Sequence, residues 1–288
     1  ALSTDHNPRY SIISPYLGGV NAVAEAMRNV AAVGATPHAL SDCLCFGNPE
    51  KPHQMWEFVE AVRGISDASN GIKLKENQNH PTPIIAGNVS FYNESKSGAI
   101  PPSPIVSCLG KINNVENTIS MSFKNENSAI LMVGSRKDEL GGSLFYDLHG
   151  ELGENVPTPN LEEVKNQIYA ITDCIEEKLF LSCHDISDGG LAVAISEMTF
   201  KNNIGCDVMV PGNLALEKLL FSETGGFIIE TEPKHLQQIK NIFKVHDIVY
   251  YNIGKTNNNG RIRFNDAIDL DLKEAKTLWS NGLRDKIK

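Results

Sequence analysis

Leu179-Phe-Leu-Ser-Cys-His-Asp-Ile-Ser-Asp-Gly-Gly-Leu-Ala-Val-Ala-Ile-Ser-Glu-Met-Thr-Phe200 is the stretch on which the fold turns. An apolar run, read as a strand over Leu179–Cys183, enters two carboxylates and two hydroxyls and turns at Gly189-Gly190. The chain then continues as a helix over Leu191–Phe200. Strand, glycine turn and helix in this order make a unit of a helix-covered sheet. Glycine allows the tight turn, and free amides at a helix start attract anions. Asp185 and Asp188 are placed to hold a compensating cation, and Ser187 to donate to a phosphate oxygen. An N-cap role would account for Asp188 alone.

The same alternation extends outward. Leu161–Lys178 reads as a helix before it. Strands at Cys206–Val210 and Gly226–Glu230, a helix at Lys234–Phe243, strands at Val249–Ile253 and Arg261–Phe264, and a helix at Leu272–Asp285 follow it. Upstream, Ala129-Ile-Leu-Met-Val133 is a buried-type strand, and the polar Asn113–Asn127 region before it is expected to hold an edge strand. Val20–Gly34 is the clearest helix, ending on a glycine suited to a C-cap. Ala39–Phe46 is a strand, and Pro52–Ser66 a helix with Met55, Phe58, Val59 and Val62 inward. Asn70–Pro83 reads as an exposed loop insertion, with strands at Ile84–Tyr92 and Ile105–Ile112 beyond it. The expected class is α/β (α+β), with domains at 1–124 and 125–288.

Composition sets limits. At 288 residues two domains are the natural expectation. A net charge of −9 argues against nucleic-acid binding and suits a protein that recruits divalent cations. No apolar run is long enough to span a membrane, and the start lacks a signal-peptide layout, so a cytoplasmic location is expected. The opening Ala-Leu-Ser-Thr-Asp, with no initiator Met, reads as a piece of a longer chain. Six cysteines without a CxxC pair read as reduced thiols, with Cys43 and Cys45 on one strand face.

Further candidates come from residue spacing. Glu25 and Asn29 stack on one helical face, a carboxylate and an amide oxygen of the kind that binds magnesium; the plain alternative is a solvent-facing helix with Glu25 paired to Arg28. In Ala86-Gly-Asn-Val-Ser-Phe-Tyr-Asn-Glu94 a strand carries Asn88 and Ser90, and Gly87 marks a bulge or a ligand pressed on the backbone. A polar sheet face in water is the alternative there. Asp42 opens a strand-to-loop segment ending in Gly-Asn-Pro. Asp138-Glu-Leu-Gly-Gly-Ser143 is a second Gly-Gly turn, equally a hairpin turn or a helix cap. GxSxG, GxxxxGK[ST], GxGxxG and HExxH motifs are all absent.

Thr4-Asp-His-Asn-Pro-Arg-Tyr10, Ala22-Val-Ala-Glu-Ala-Met-Arg-Asn29, Asp42-Cys-Leu-Cys-Phe-Gly-Asn-Pro-Glu-Lys-Pro52 and Gly87-Asn-Val-Ser-Phe-Tyr-Asn-Glu94 occur in this order. Asp138–Ser143, His184–Gly190 and Phe221-Ser-Glu-Thr-Gly225 continue the series. Together they resemble the carboxy-terminal half of the synthetase subunit of phosphoribosylformylglycinamidine synthase, in the aminoimidazole ribonucleotide synthetase-like superfamily. The resemblance covers essentially the whole chain. It implies an amino-terminal domain whose sheet pairs with a second copy, and a carboxy-terminal α/β domain. The implied activity is an ATP-dependent C–N ligation of purine biosynthesis, amidating formylglycinamide ribonucleotide with glutamine-derived ammonia. Mg2+ and ATP or ADP are the implied cofactors. The implied partners are the missing amino-terminal half, a glutaminase subunit and a small bridging subunit.

By position, Thr4, Asp42, Gly87 and Ser187 resemble nucleotide contacts and Ser90 a substrate contact. Asn88, Asp5, Glu25, Asn29 and Asp185 resemble magnesium ligands. The chain departs from the family in lacking the first unit with its own nucleotide loop and general base. It also carries Phe221-Ser222-Glu223 where the first unit has Glu-Ser-Gln, Ala86 where Gly is common, and a longer 70–83 loop. A fragment inactive alone is therefore expected, with no catalytic residue assigned. The alternatives are a non-catalytic nucleotide-holding scaffold and a free-standing superfamily synthetase or kinase. An isolated amino-terminal sheet would expose its edge, so a homodimer through about Ile84–Ile112 is expected.

Overall fold

A computed structural model describes residues 1–287. The first sheet takes strands β1 (Leu2–Asp5), β2 (Thr36–Cys45), β3 (Ile84–Ser90) and β6 (Ser103–Lys111) in the order β1-β6-β2-β3. A two-stranded ribbon, β4 (Glu94–Ser95) and β5 (Gly98–Ala99), lies between β3 and β6 in the chain. Helices α1 (Pro8–Ile13), α2 (Pro15–Ala32) and α3 (Pro52–Gly71) complete this region.

The second sheet has seven strands in the order β13-β12-β9-β11-β7-β10-β8. These are β7 (Ala129–Val133), β8 (Ser182–Ile186), β9 (Gly205–Val208), β10 (Gly226–Thr231), β11 (Tyr250–Asn257), β12 (Arg261–Phe264) and β13 (Ile268–Asp271). Its helices are α4 (Leu144–Leu148), α5 (Leu161–Glu176), α6 (Gly190–Phe200), α7 (Leu216–Phe221), α8 (Leu236–Val245) and α9 (Leu272–Lys286).

Helix α2 is the hinge pin of the molecule. Ser14 caps it by accepting from the Leu17 N–H at 3.2 Å, Pro15 opens it, and Gly34 follows it at φ +92°. Its Ala- and Val-rich surface is buried almost all round, against the first sheet and α3 on one side and α5 and β8 on the other. One apolar core therefore runs through both sheets, from Val23 and Met27 to Ile171, Cys174 and Phe227.

Several expectations need correction. Helix α3 turns Ala61, Gly64, Ile65 and Ala68 inward, while Met55, Val59 and Val62 stay exposed. Gly64 packs against the Tyr16 carbonyl so closely that a Cβ would lie 2.0 Å from that oxygen, so close backbone approach, not side-chain size, chose the face. Strand β8 starts at Ser182, because Leu179 and Phe180 plug the core as irregular chain after the Glu177-Lys178 turn. In place of an edge strand, 113–127 holds a 3-10 turn at Val115–Asn117 and a single bridge between Ser120 and Ser182. The 70–83 loop is clasped to α5: the Lys75 ammonium lies 2.6 Å from Asp173 and donates to Thr172 at 2.7 Å, and the Tyr169 hydroxyl donates to the Lys73 carbonyl at 2.7 Å. The six cysteines are free thiols, with Cys43 and Cys45 side by side at 3.9 Å.

Candidate nucleotide and magnesium site

Two groups of the expected residues emerge, and the fold separates them. The first lies where α2 meets β1 and the end of β8. Asp5, pointing inward from β1, accepts from Ser3 at 2.7 Å and from Asn29 at 3.2 Å. Glu25 stands one turn before Asn29 on α2. Burial pushes its carboxyl far above the usual range, helped by the charges of Asp185, Asp5 and Asp188 and opposed by Arg28. Asp5 is also raised, mainly by burial. The solvent-facing alternative holds only in part: Glu25 and Asn29 keep partial exposure, while Ala24, Ala26, Arg28 and Val30 around them are buried.

Asp185, on β8, is 2% exposed. Burial works against its charge, but His184, Arg28 and Ser187 hold its carboxyl below the ordinary value. One oxygen, Oδ1, lies 3.0 Å from His184 Nδ1, and Oδ2 has no partner. His184 Nε2 lies 3.1 Å from Glu197; burial alone would lower this histidine, yet the two carboxylates lift it to about 9. Arg28, 2% exposed, lays its guanidinium on Gly225, where a Cβ would meet it at 2.3 Å, and its Nε has no partner. A buried carboxylate oxygen without a donor, beside two crowded carboxyls and an amide, is the set a hard cation satisfies. Among the described residues no group of three His, Cys, Asp or Glu side chains stands ready to hold a metal ion. Water and ligand oxygens would have to complete the shell, as magnesium commonly requires.

The Gly189-Gly190 turn departs from its expected role. The Gly189 N–H donates to Glu223 Oε1 at 2.8 Å, as does the Leu144 N–H at 2.8 Å. The Tyr10 hydroxyl donates to Glu223 Oε2. A carboxylate of the chain thus fills the place at the start of α6 that a phosphate was expected to take. Asp188 accepts from Asn7 Nδ2 at 3.2 Å, and Asn7 caps α1. The linear sequence carries no signal for Glu223 as this hub, since its partners lie 34, 79 and 213 residues away.

The second group lies on the first sheet. Thr4 faces outward from β1, sharing a 2.7 Å hydrogen bond with Ser107. Asn88 pairs with Cys43 and Ser90 with Cys45 on the same outer face, on the edge strand farthest from β1. The Ser90 hydroxyl already contacts Asn93 at 3.1 Å. Asp42 lies over Gly87, whose Cβ would come within 2.7 Å of its carboxylate; burial raises Asp42 and the Asn88 backbone N–H lowers it. Asn88 therefore does not join Asp5, Glu25, Asn29 and Asp185. The outer face also carries the exposed Leu2 and Leu109, and Ile85 and Val89 are exposed on β3.

With this geometry in place, likeness to known proteins is informative. Residues 1–112 match the model of the AIR synthase related protein, N-terminal domain, and residues 125–266 match that of the C-terminal domain. The chain belongs to the AIR synthase related family. Over its full length it is 43% identical to the phosphoribosylformylglycinamidine synthase subunit PurL of Methanothrix thermoacetophila, and it covers 38% of that protein. The Thermococcus sibiricus subunit is 39% identical over 98% of this chain, which covers 39% of it. The chain thus spans about two-fifths of the length of these relatives.

Among solved structures, Thermotoga maritima PurL complexed with FGAR superposes with a TM-score of 0.80 at 21% identity, covering 96% of this chain and 45% of that one. The same protein complexed with ATP gives 0.74 at 20% identity, covering 96% and 43%. Thiamine-monophosphate kinase from Stenotrophomonas maltophilia gives 0.63 at 14% identity, covering 92% and 84%. These structural likenesses carry the AIR synthase fold, in keeping with the two-part α/β architecture expected from sequence. Among the described residues no helix is long and apolar enough to cross a membrane.

Proposed function

We propose that this chain is the second, nucleotide-holding unit of an ATP-dependent phosphoribosylformylglycinamidine synthase, a C–N ligase of purine biosynthesis acting in the cytoplasm. The observation that carries this reading is the buried, partnerless Asp185 Oδ2 beside Glu25, Asp5 and Asn29, in a chain similar along its length to PurL. In this reading Asp5, Glu25, Asn29 and Asp185 hold Mg2+, and Ser187 contacts the phosphates of ATP or ADP. Bound there, the ion would neutralise phosphate charge. Arg28 keeps the carboxylate cluster from repelling itself open, and Glu223 holds the α4, α6 and α1 ends together around it.

Thr4, Asn88 and Ser90 belong to a different surface in this proposal, with Asp42 over Gly87 on the opposite face of the same strands. They would meet nucleotide, magnesium and formylglycinamide ribonucleotide only when the amino-terminal unit covers the sheet, with a glutaminase and a small bridging subunit delivering ammonia. Alone, the chain would cover this face with a second copy. The division into units at about residue 124 fits the gap between Lys111 and Ala129, where one sheet ends and the next begins.

Mass spectrometry of the ligand released from purified protein, with and without magnesium, tests the first part. A purine nucleotide retained only with the ion is expected, and its absence under both conditions would sink the reading. Mixing the chain with its amino-terminal unit and glutaminase should restore ATP-dependent amidation. The occupied Gly189 amide favours a second reading, in which the nucleotide is held for structure and not turned over. Depleting it would then lower Tm before it slows amidation.

A further inference from the structure

The proposed ligand Asp185 is not held by its neighbours in the cleft alone. A line of hydrogen bonds runs from it to the last helix: Asp185 Oδ1 to His184 Nδ1 at 3.0 Å, His184 Nε2 to Glu197 Oε2 at 3.1 Å, and Glu197 Oε1 from the Trp279 indole N–H at 2.9 Å. The four residues come from β8, α6 and α9. Both nitrogens of His184 face carboxylate oxygens, which only accept, so both nitrogens must donate. The ring cannot turn without losing one of the two bonds. Asp185 is consequently fixed with Oδ1 spent on the ring and Oδ2 turned free in the buried cleft.

We propose that His184 and Glu197 are positioning residues that set Asp185 for one-oxygen coordination of a divalent cation, and that Trp279 anchors the line at α9. This rests on the reading of Asp185 as a magnesium ligand. Partners behind a metal ligand fix its orientation and tune its basicity, and losing one typically costs 10- to 100-fold in affinity. Here the supported ligand is a carboxylate and the support a ring held between two carboxyl groups. Trp279 lies 5.4 Å from Phe200, ring to ring, and is half exposed, so it ties the buried cleft to a surface helix and can report on it.

The test uses the chain carrying Trp56→Phe, which leaves Trp279 as its one tryptophan. Mn2+ binding and ADP binding with and without the metal are measured by calorimetry, alongside Trp279 emission. Asp185→Asn should abolish the metal-dependent part of binding; if Mn2+ binds unchanged, the underlying assignment of Asp185 fails, and the proposal with it. Glu197→Gln and His184→Leu should each weaken Mn2+ about tenfold or more, leave metal-free ADP affinity within twofold, and remove the emission change on Mn2+ binding. His184→Gln, which can still donate to Asp185, should recover part of the loss. If Asp185→Asn abolishes binding while Glu197→Gln and His184→Leu bind Mn2+ like the parent, the positioning line is refuted and the ligand assignment stands. Equal losses of metal-dependent and metal-free ADP binding would mark a merely structural role and also overturn it.

Discussion

The cleft around Asp185 and the outer face of the first sheet carry the same residue types, yet they differ in completeness. In the cleft this chain supplies both sides: β1 and α2 face β8, and bonds within the chain hold Asp5, His184 and Glu223 while Asp185 Oδ2 and Arg28 Nε are left without partners. On the sheet, Thr4, Asn88 and Ser90 sit among small side chains with leucines at the margin, and nothing faces them. Like-looking motifs therefore mean different things. In the proposed reading one set belongs to a site the chain can hold alone, and the other to half of a site.

The sharpest way to break that distinction is to add one heavy atom to each. Gly225→Ala would drive a Cβ to 2.3 Å from the Arg28 guanidinium, and this overpacking should cost about 2–3 kcal/mol in urea unfolding. Ala86→Ser on exposed β3 should cost less than about 0.5 kcal/mol. Similar losses at the two positions would show that the cleft is no better packed than the sheet.

Next in size is the response of the cleft to charge. Glu25 has a folded-state pKa raised above its unfolded value. The folded chain binds that proton more tightly, so its contribution to stability is present at low pH and is lost as pH rises from about 4.5 through the folded value. In metal-free buffer, Glu25→Gln should flatten this decline and stabilise the chain at pH 8 by on the order of 1 kcal/mol. It should also remove stabilisation by magnesium and ADP, which for an intact site amounts to about 2.7 kcal/mol at a hundredfold excess over Kd. His6 gives the opposite sign: burial lowers it to about 4. Its contribution is present above 6.5 and lost as pH falls toward 4, a loss that His6→Asn should suppress in thermal melts.

The open face is probed by Leu109→Asp. Sedimentation should show a concentration-dependent dimer reduced to monomer, with the monomer's Tm shifted by no more than a degree or two. A parent chain that stays monomeric at high concentration would remove the homodimer altogether. The smallest effect expected is that of Lys75→Ala, about 0.5–1 kcal/mol, because its partner Asp173 is partly solvated.

Much of this was legible in the sequence where one periodicity dominates. The 3.6-residue pattern of α2 placed Glu25 and Asn29 on one face, and the apolar run 129–133 gave β7 to the residue. Where backbone approach decides, the pattern misleads: α3 buries its small residues, because Gly64 lets the two helices touch. Leu179 and Phe180 read as strand because burial in irregular chain leaves the same apolar signature. Asp185 and Ser187 stand out locally, but their supports do not. Glu223, Glu197 and Trp279 reach the cleft only through tertiary packing, which no local spacing encodes.

The clasp between the 70–83 loop and α5 has a consequence for how the molecule can be divided. Lys73 and Lys75 bind α5 from the first region, and the apolar core continues from α2 into the second sheet. The peptide link through 113–127 is thus only one of several ties between the regions. A protease cut there should leave a nicked protein that elutes as one particle, binds ligand and melts in a single transition. Two separately expressed pieces would each lack a wall of their core, so neither should fold until mixed with the other.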